Sequence, residues 1–217
     1  MIVWVIAGLL GMATGLRIGW ALVNQRSVVS SAMIIALGSL AVVATLNWAP
    51  LTLLVDTALG WPNIAIGLSQ VALVASATGS CVMITSVASI RQPGVTRRRA
   101  VLQYGLGALI AVLTVTLFLG GERQPEMAPR EYLTRNLGSA NTALHWLVPL
   151  QYVLFALTLV AWVGMRFANP SRRGRALFIF TIGIALMVAA SAFFLMRAVG
   201  STPLVGVGTA ATLLMCA

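Results

Sequence analysis

Long apolar stretches separated by short polar clusters run the length of the chain, and this pattern sets its element plan. Apolar runs bounded by charges, Pro or Gly/Asn clusters predict helices over about 2–23, 31–55, 63–90, 100–119, 143–165 and 176–196. Each is about 20 residues or longer, the length a helix needs to cross roughly 30 Å of hydrocarbon. A last apolar stretch, 203–217, reaches only about 22 Å as a helix, so it is expected either to be re-entrant or to begin a seventh span. The expected fold class is all-α, a polytopic transmembrane bundle of six full spans plus a partial seventh. Most connections are short, which makes sequential helices antiparallel neighbours. The exception is the loop 120–142, long enough to fold over one mouth of the bundle. Within it Glu131 and Arg135 stand at the i, i+4 spacing of a short surface helix, while Pro125 and Pro129 break what precedes.

Composition strengthens this reading. Of 217 residues 59% are hydrophobic and only 8% charged, and the mean hydropathy of +0.97 is far from that of soluble domains. The net charge of +10 would suit a nucleic-acid partner, but all fourteen basic residues are Arg and ten of them sit at alternate connections. The first carries Arg17 and Arg26, the third Arg91, Arg97, Arg98 and Arg99, and the fifth Arg166, Arg172, Arg173 and Arg175. The remaining connections hold Arg123, Arg130 and Arg135 against Glu122, Glu126 and Glu131, and then Arg197. By the positive-inside rule the odd connections are cytoplasmic and the N-terminus lies outside. The basic clusters set orientation and meet lipid headgroups; the expected partner is a lipid bilayer and not nucleic acid. The N-terminal MIVWVIAGLL has no basic leader and is read as the first span, not as a removable signal.

Candidate chemistry is sparse. No Walker loop, nucleophile elbow, HExxH or paired carboxylate within a span is present, so no enzyme and no cofactor are expected. Cys81 lies inside an apolar run and Cys216 at the chain end, and neither makes a metal or disulfide pattern. Gly11, Gly15 and Gly19 form a GxxxGxxxG series that lets another helix approach closely; packing within the bundle is the expected use, and a homo-oligomer contact is the other reading. Arg17 is expected to snorkel to the headgroups. Asp56 ends helix two before Gly60, Pro62 and Asn63, where it would either cap a tight turn or bind a cation or proton. His145, the sole His, opens helix five beside Trp146; a membrane-interface role is preferred to metal binding, for which it has no partners nearby in sequence. Pro50 and Pro149 each fall in the outer half of a span, where each would kink its helix and free a carbonyl. With Asn47, Gln70 and Gln151 they make the outer half of the bundle the more polar half. A small-ligand site is expected there, around Asp56, Asn63, His145 and Gln151, with no metal.

The stretch 55–77, VDTALGWPNIAIGLSQVALVASA, resembles a pattern of actinobacterial multi-helix membrane proteins labelled as putative transporters, in which a turn of the form D-x-x-x-G-x-P-N joins two helices. Asp56, Gly60, Pro62 and Asn63 match it, and the resemblance extends loosely through a charged outer loop and a basic connection after helix five. It implies topology and lineage more than activity. It also implies a soluble cytoplasmic region beyond the bundle, and with it a chain that continues past Ala217 inside helix seven. The expected function is a sensor-like, receptor-like or scaffold membrane module with an outward-facing polar pocket, with a small-solute transporter as the alternative and a membrane enzyme as a third class.

Overall fold

The computed structural model describes residues 2–24, 27–89, 92–121, 123–129, 131–132, 135, 144–167, 182, 186 and 189. They form six helices: α1 (Ile2–Val23), α2 (Val28–Leu46), α3 (Ala49–Leu59), α4 (Ile64–Ala88), α5 (Pro93–Gly120) and α6 (Leu144–Phe167). Among the described residues there is no strand. All but α3 are long and apolar enough to cross a membrane. Of the helix expected over 176–196, only Ile182, Leu186 and Ala189 are described, and all three are helical; 203–217 lies outside the described residues.

The expected span 31–55 is divided in two. Pro50 is the reason: it has no N–H and its ring clashes with the carbonyl four residues earlier, that of Leu46, so the helix ends at Leu46 and restarts at Ala49 with Pro50 in its first turn. The carbonyl so released does not go unmet. The Thr52 hydroxyl, 2% exposed, is 2.6 Å from the Leu46 carbonyl oxygen and 3.0 Å from that of Trp48. Helix α5 starts earlier than the expected residue 100, because Pro93 suits a first helical position and the following Arg run continues the helix. Its 28 residues extend about 42 Å, more than a hydrocarbon core, so the turn bearing Arg97, Arg98 and Arg99 needs no place in the apolar layer.

Helix α4 is the hub, packed against α2, α5 and α6, with α1 outside against α2. Small residues make this position available. A Cβ on Gly79 would stand 2.8 Å from the Ala32 carbonyl oxygen and 2.8 Å from the Ala36 nitrogen, so the α2 and α4 backbones touch there. The Ser76 hydroxyl adds a bond to the Ala36 carbonyl at 2.9 Å. Further polar side chains of α4 are likewise met. Thr78 bonds the Val74 carbonyl and the Tyr152 hydroxyl, both at 2.8 Å; Cys81 donates to the Ala156 carbonyl at 3.4 Å; Thr85 donates to the Gln103 amide oxygen at 3.0 Å. In an apolar medium an unmet polar atom is costly, and these bonds tie α4 to α5 and α6.

The glycines of α1 behave differently. Among the described residues nothing comes within 4 Å of a Cβ built at Gly8, Gly11, Gly15 or Gly19, so the in-bundle packing expected for the GxxxGxxxG series is not supplied by them. A direct comparison follows. Gly79→Ala pushes against backbone that cannot rotate away, and a loss of about 1–3 kcal/mol is expected in thermal unfolding in detergent, while Gly11→Ala is expected to leave the transition in place. Equal transitions for both variants would contradict close packing of α2 on α4.

Candidate functional site

The turn between α3 and α4 is built by four residues. Gly60 ends α3 in the left-handed conformation (φ 64°), with the Gly60 N–H on the Thr57 carbonyl and the Trp61 N–H on the Asp56 carbonyl, a Schellman closure. Asn63 is also left-handed (φ 61°), a conformation that Asn tolerates better than most side chains, and it precedes the first residue of α4. No side chain at Asn63 caps α4. That task falls to Asp56, whose carboxylate accepts the Ala65 N–H at 2.7 Å and the Asn63 N–H at 3.1 Å. An anion at a helix N-terminus is also favoured by the helix dipole. Asp56 is 2% exposed, and burial lifts its carboxyl above the ordinary carboxylate range while the two N–H bonds pull the other way.

With its backbone so placed, the Asn63 side chain reaches the loop after α5. Its amide donates to the Pro125 carbonyl at 3.0 Å and the Gln124 carbonyl at 3.3 Å, and its oxygen accepts the Met127 N–H at 3.0 Å. One buried side chain thus holds a strap, 123–129, across the end of the bundle. The strap is anchored a second time farther on. Tyr132, whose N–H bonds the Ala128 carbonyl in a helical turn, is buried with Met127 against Ile66, Phe118 and Trp146. Its hydroxyl lies 3.0 Å from His145 Nε2, and the imidazole packs edge-on against Phe118 at 5.8 Å.

Below the strap lies a third polar layer. Pro149 is buried inside α6 and supplies no N–H to the carbonyl four residues back, that of His145. Gln70 of α4 is 2% exposed and fills that place: with its amide oriented to suit its neighbours, it donates to the His145 carbonyl at 2.8 Å and accepts from Trp146 Nε1 at 3.2 Å.

The expected site residues are therefore only partly gathered. Asp56 and Asn63 act together at the turn, and His145 joins them through Tyr132 and the strap. Gln151 does not share the His145 face, since six residues turn a helix by about 240°. Arg97, Arg98 and Arg99 are exposed on the first turns of α5, at the chain end of α4 remote from Asn63; Arg91, Arg172, Arg173 and Arg175 lie outside the described residues. Tyr132 and the Arg123–Trp61 pair are additions that spacing along the chain does not signal. Among the described residues no three of His, Cys, Asp and Glu converge as metal ligands.

Burial pushes the Tyr132 phenol from its ordinary 10 up to about 12. The folded chain then keeps a proton that the unfolded chain loses, so the docked phenol's contribution to stability is complete below about pH 10 and declines as pH rises to about 12. The difference between wild-type and Tyr132→Phe phenolate absorbance isolates this group. A midpoint near 12 is expected, and one near 10 would contradict the docked strap.

Comparison with protein-family models, with curated proteins and with solved structures finds no match to this chain.

Proposed function

We propose that the chain is a receptor-like or scaffold module of a bacterial cytoplasmic membrane, and that the end carrying the strap faces outward and receives its ligand or partner. In this reading six full spans, the sixth over 176–196, are followed by a partial seventh over 203–217, and the N-terminus lies outside. The distribution of Arg supports that orientation. One observation carries the choice of receptor or scaffold over carrier. Ion coupling through a carboxylate needs one whose access changes, whereas Asp56, the sole acid outside the 120–142 loop, is buried with both oxygens bonded to the α4 N-terminus.

Two measurements test the proposal. For orientation, a cysteine replacing Glu126 is expected to react with a membrane-impermeant maleimide on intact cells, and one replacing Arg98 only after permeabilisation; the reverse pattern would overturn the outward strap. For mode, the full chain in proteoliposomes is expected to give no charge movement under a proton or sodium gradient with mixed amino acids and sugars. A current abolished by Asp56→Asn would instead establish the small-solute transporter.

A further inference from the structure

At the strap end the Arg123 guanidinium lies over the Trp61 ring, 4.1 Å from its centroid. A cation this close to a ring face is shielded from water on that side, and its five N–H donors are more than the ring itself can engage. No carboxylate pairs with it among the described residues, although the same strap carries Glu126 and the turn below holds Asp56. Asp56 is committed to Ala65 and Asn63. Arg123 also lines a crevice between the α3–α4 turn and the strap, together with Trp61, Asn63, Phe118, Gln124 and Tyr132, with a volume of about 20 Å³. That holds one oxygen-sized group and no more. The crevice is too small to admit a whole metabolite. It suits a ligand that stays at the mouth and sends one atom inward.

We propose that Arg123, stacked on Trp61, and this crevice form a binding site for a phosphate group, one oxygen entering the crevice while others face the guanidinium edge. A planar, always-charged fork matches phosphate oxygens with two parallel bonds, and prior ordering by the indole reduces the entropy lost on binding. Trp61 supports the assignment independently. Tryptophan collects at the membrane–water boundary, and the ends of spanning helices α4 and α5 flank this pair, so Arg123 stands at the depth of lipid phosphates. The shared chemistry is the phosphate; it comes either from a phospholipid headgroup or from free phosphate. The site is expected whether the module works as receptor or carrier.

The test uses the full chain purified in a neutral maltoside detergent, with thermal unfolding followed against added short-chain phosphatidylglycerol in one arm and inorganic phosphate, at matched ionic strength with chloride, in the other. A phosphate-free glycolipid serves as the blank. Arg123 is exposed, so Arg123→Gln is expected to fold with an unchanged transition in the absence of additive. The wild type is expected to be stabilised by phosphatidylglycerol, with half-saturation about tenfold weaker in Arg123→Gln. Arg98→Gln, at the other end of the bundle, is expected to bind as the wild type does. If inorganic phosphate alone gives the Arg123-dependent shift, the source is free phosphate; if the lipid alone does, it is the headgroup. Equal half-saturation for wild type and Arg123→Gln in both arms would overturn the site.

Discussion

Replacing Asp56 by Leu is expected to cost roughly 2–5 kcal/mol of stability in detergent, among the largest effects of any single substitution at the α3–α4 turn. The carboxylate is the acceptor for the Asn63 and Ala65 N–H groups, and in Leu both become buried donors without a partner. Asp56→Asn should be milder. It retains an oxygen for the shorter bond to Ala65 and discards the buried charge, but turns an amide N–H₂ toward the Asn63 N–H, for a loss of about 1–2 kcal/mol. Because burial raises the carboxyl above its ordinary value, the native chain should lose some stability as pH rises from the unfolded value near 4 through the folded one, and this dependence should vanish in Asp56→Asn. The strap supplies a second readout. Asn63 can accept the Met127 N–H only while its left-handed backbone is held, so hydrogen exchange at Met127 should quicken in Asp56→Leu. A Leu variant within about 0.5 kcal/mol of wild type, with Met127 still protected, would refute the capping role.

This turn also shows how far the sequence could be read. Asp, Gly, Pro and Asn spaced as Asp56, Gly60, Pro62 and Asn63 mark a helix end, a left-handed residue and a helix start through local backbone rules. What those rules do not reach is the Asn63 side chain, whose partners at Gln124, Pro125 and Met127 lie more than sixty residues away and exist only once α5 returns the chain to the α4 N-terminus. The same division runs through the glycines. Gly11 and Gly79 both lie inside long membrane-length helices, yet a Cβ at Gly11 would meet open space among the described residues and one at Gly79 would meet three backbone atoms of α2. Periodicity identifies the helices, while the rotation of each about its axis is set by neighbours.

The prolines lie between these cases. That Pro50 and Pro149 release carbonyls follows from the missing N–H alone, and so does the identity of the carbonyls, those of Leu46 and His145. The local donor, Thr52, is only two residues past its proline. The distant donor, Gln70, depends on the register of α4 against α6. A backbone bond lost to proline in an apolar medium is costly unless something replaces it, and the carbonyls released by Pro50 and Pro149 are each met by one buried side chain, Thr52 and Gln70.

That pairing predicts a dependence between two residues on different helices. Gln70→Leu is expected to destabilise by about 2–4 kcal/mol, since it strips acceptor and donor from two buried partners, Trp146 Nε1 and the His145 carbonyl. Pro149→Ala restores a backbone N–H at the position that would serve the same carbonyl. In the wild-type background that N–H competes with an amide already in place, so the gain should be small. In the Gln70→Leu background it meets an otherwise missing bond, and the double variant should recover about 1 kcal/mol more than the two single changes sum to. Trp146 keeps its deficit, so recovery stays partial until Trp146→Phe removes the indole donor as well. Thermal or denaturant unfolding of the four chains of the Gln70–Pro149 cycle in one detergent gives the coupling directly. Additivity within about 0.3–0.5 kcal/mol would mean that Gln70 does not replace the bond that Pro149 takes away.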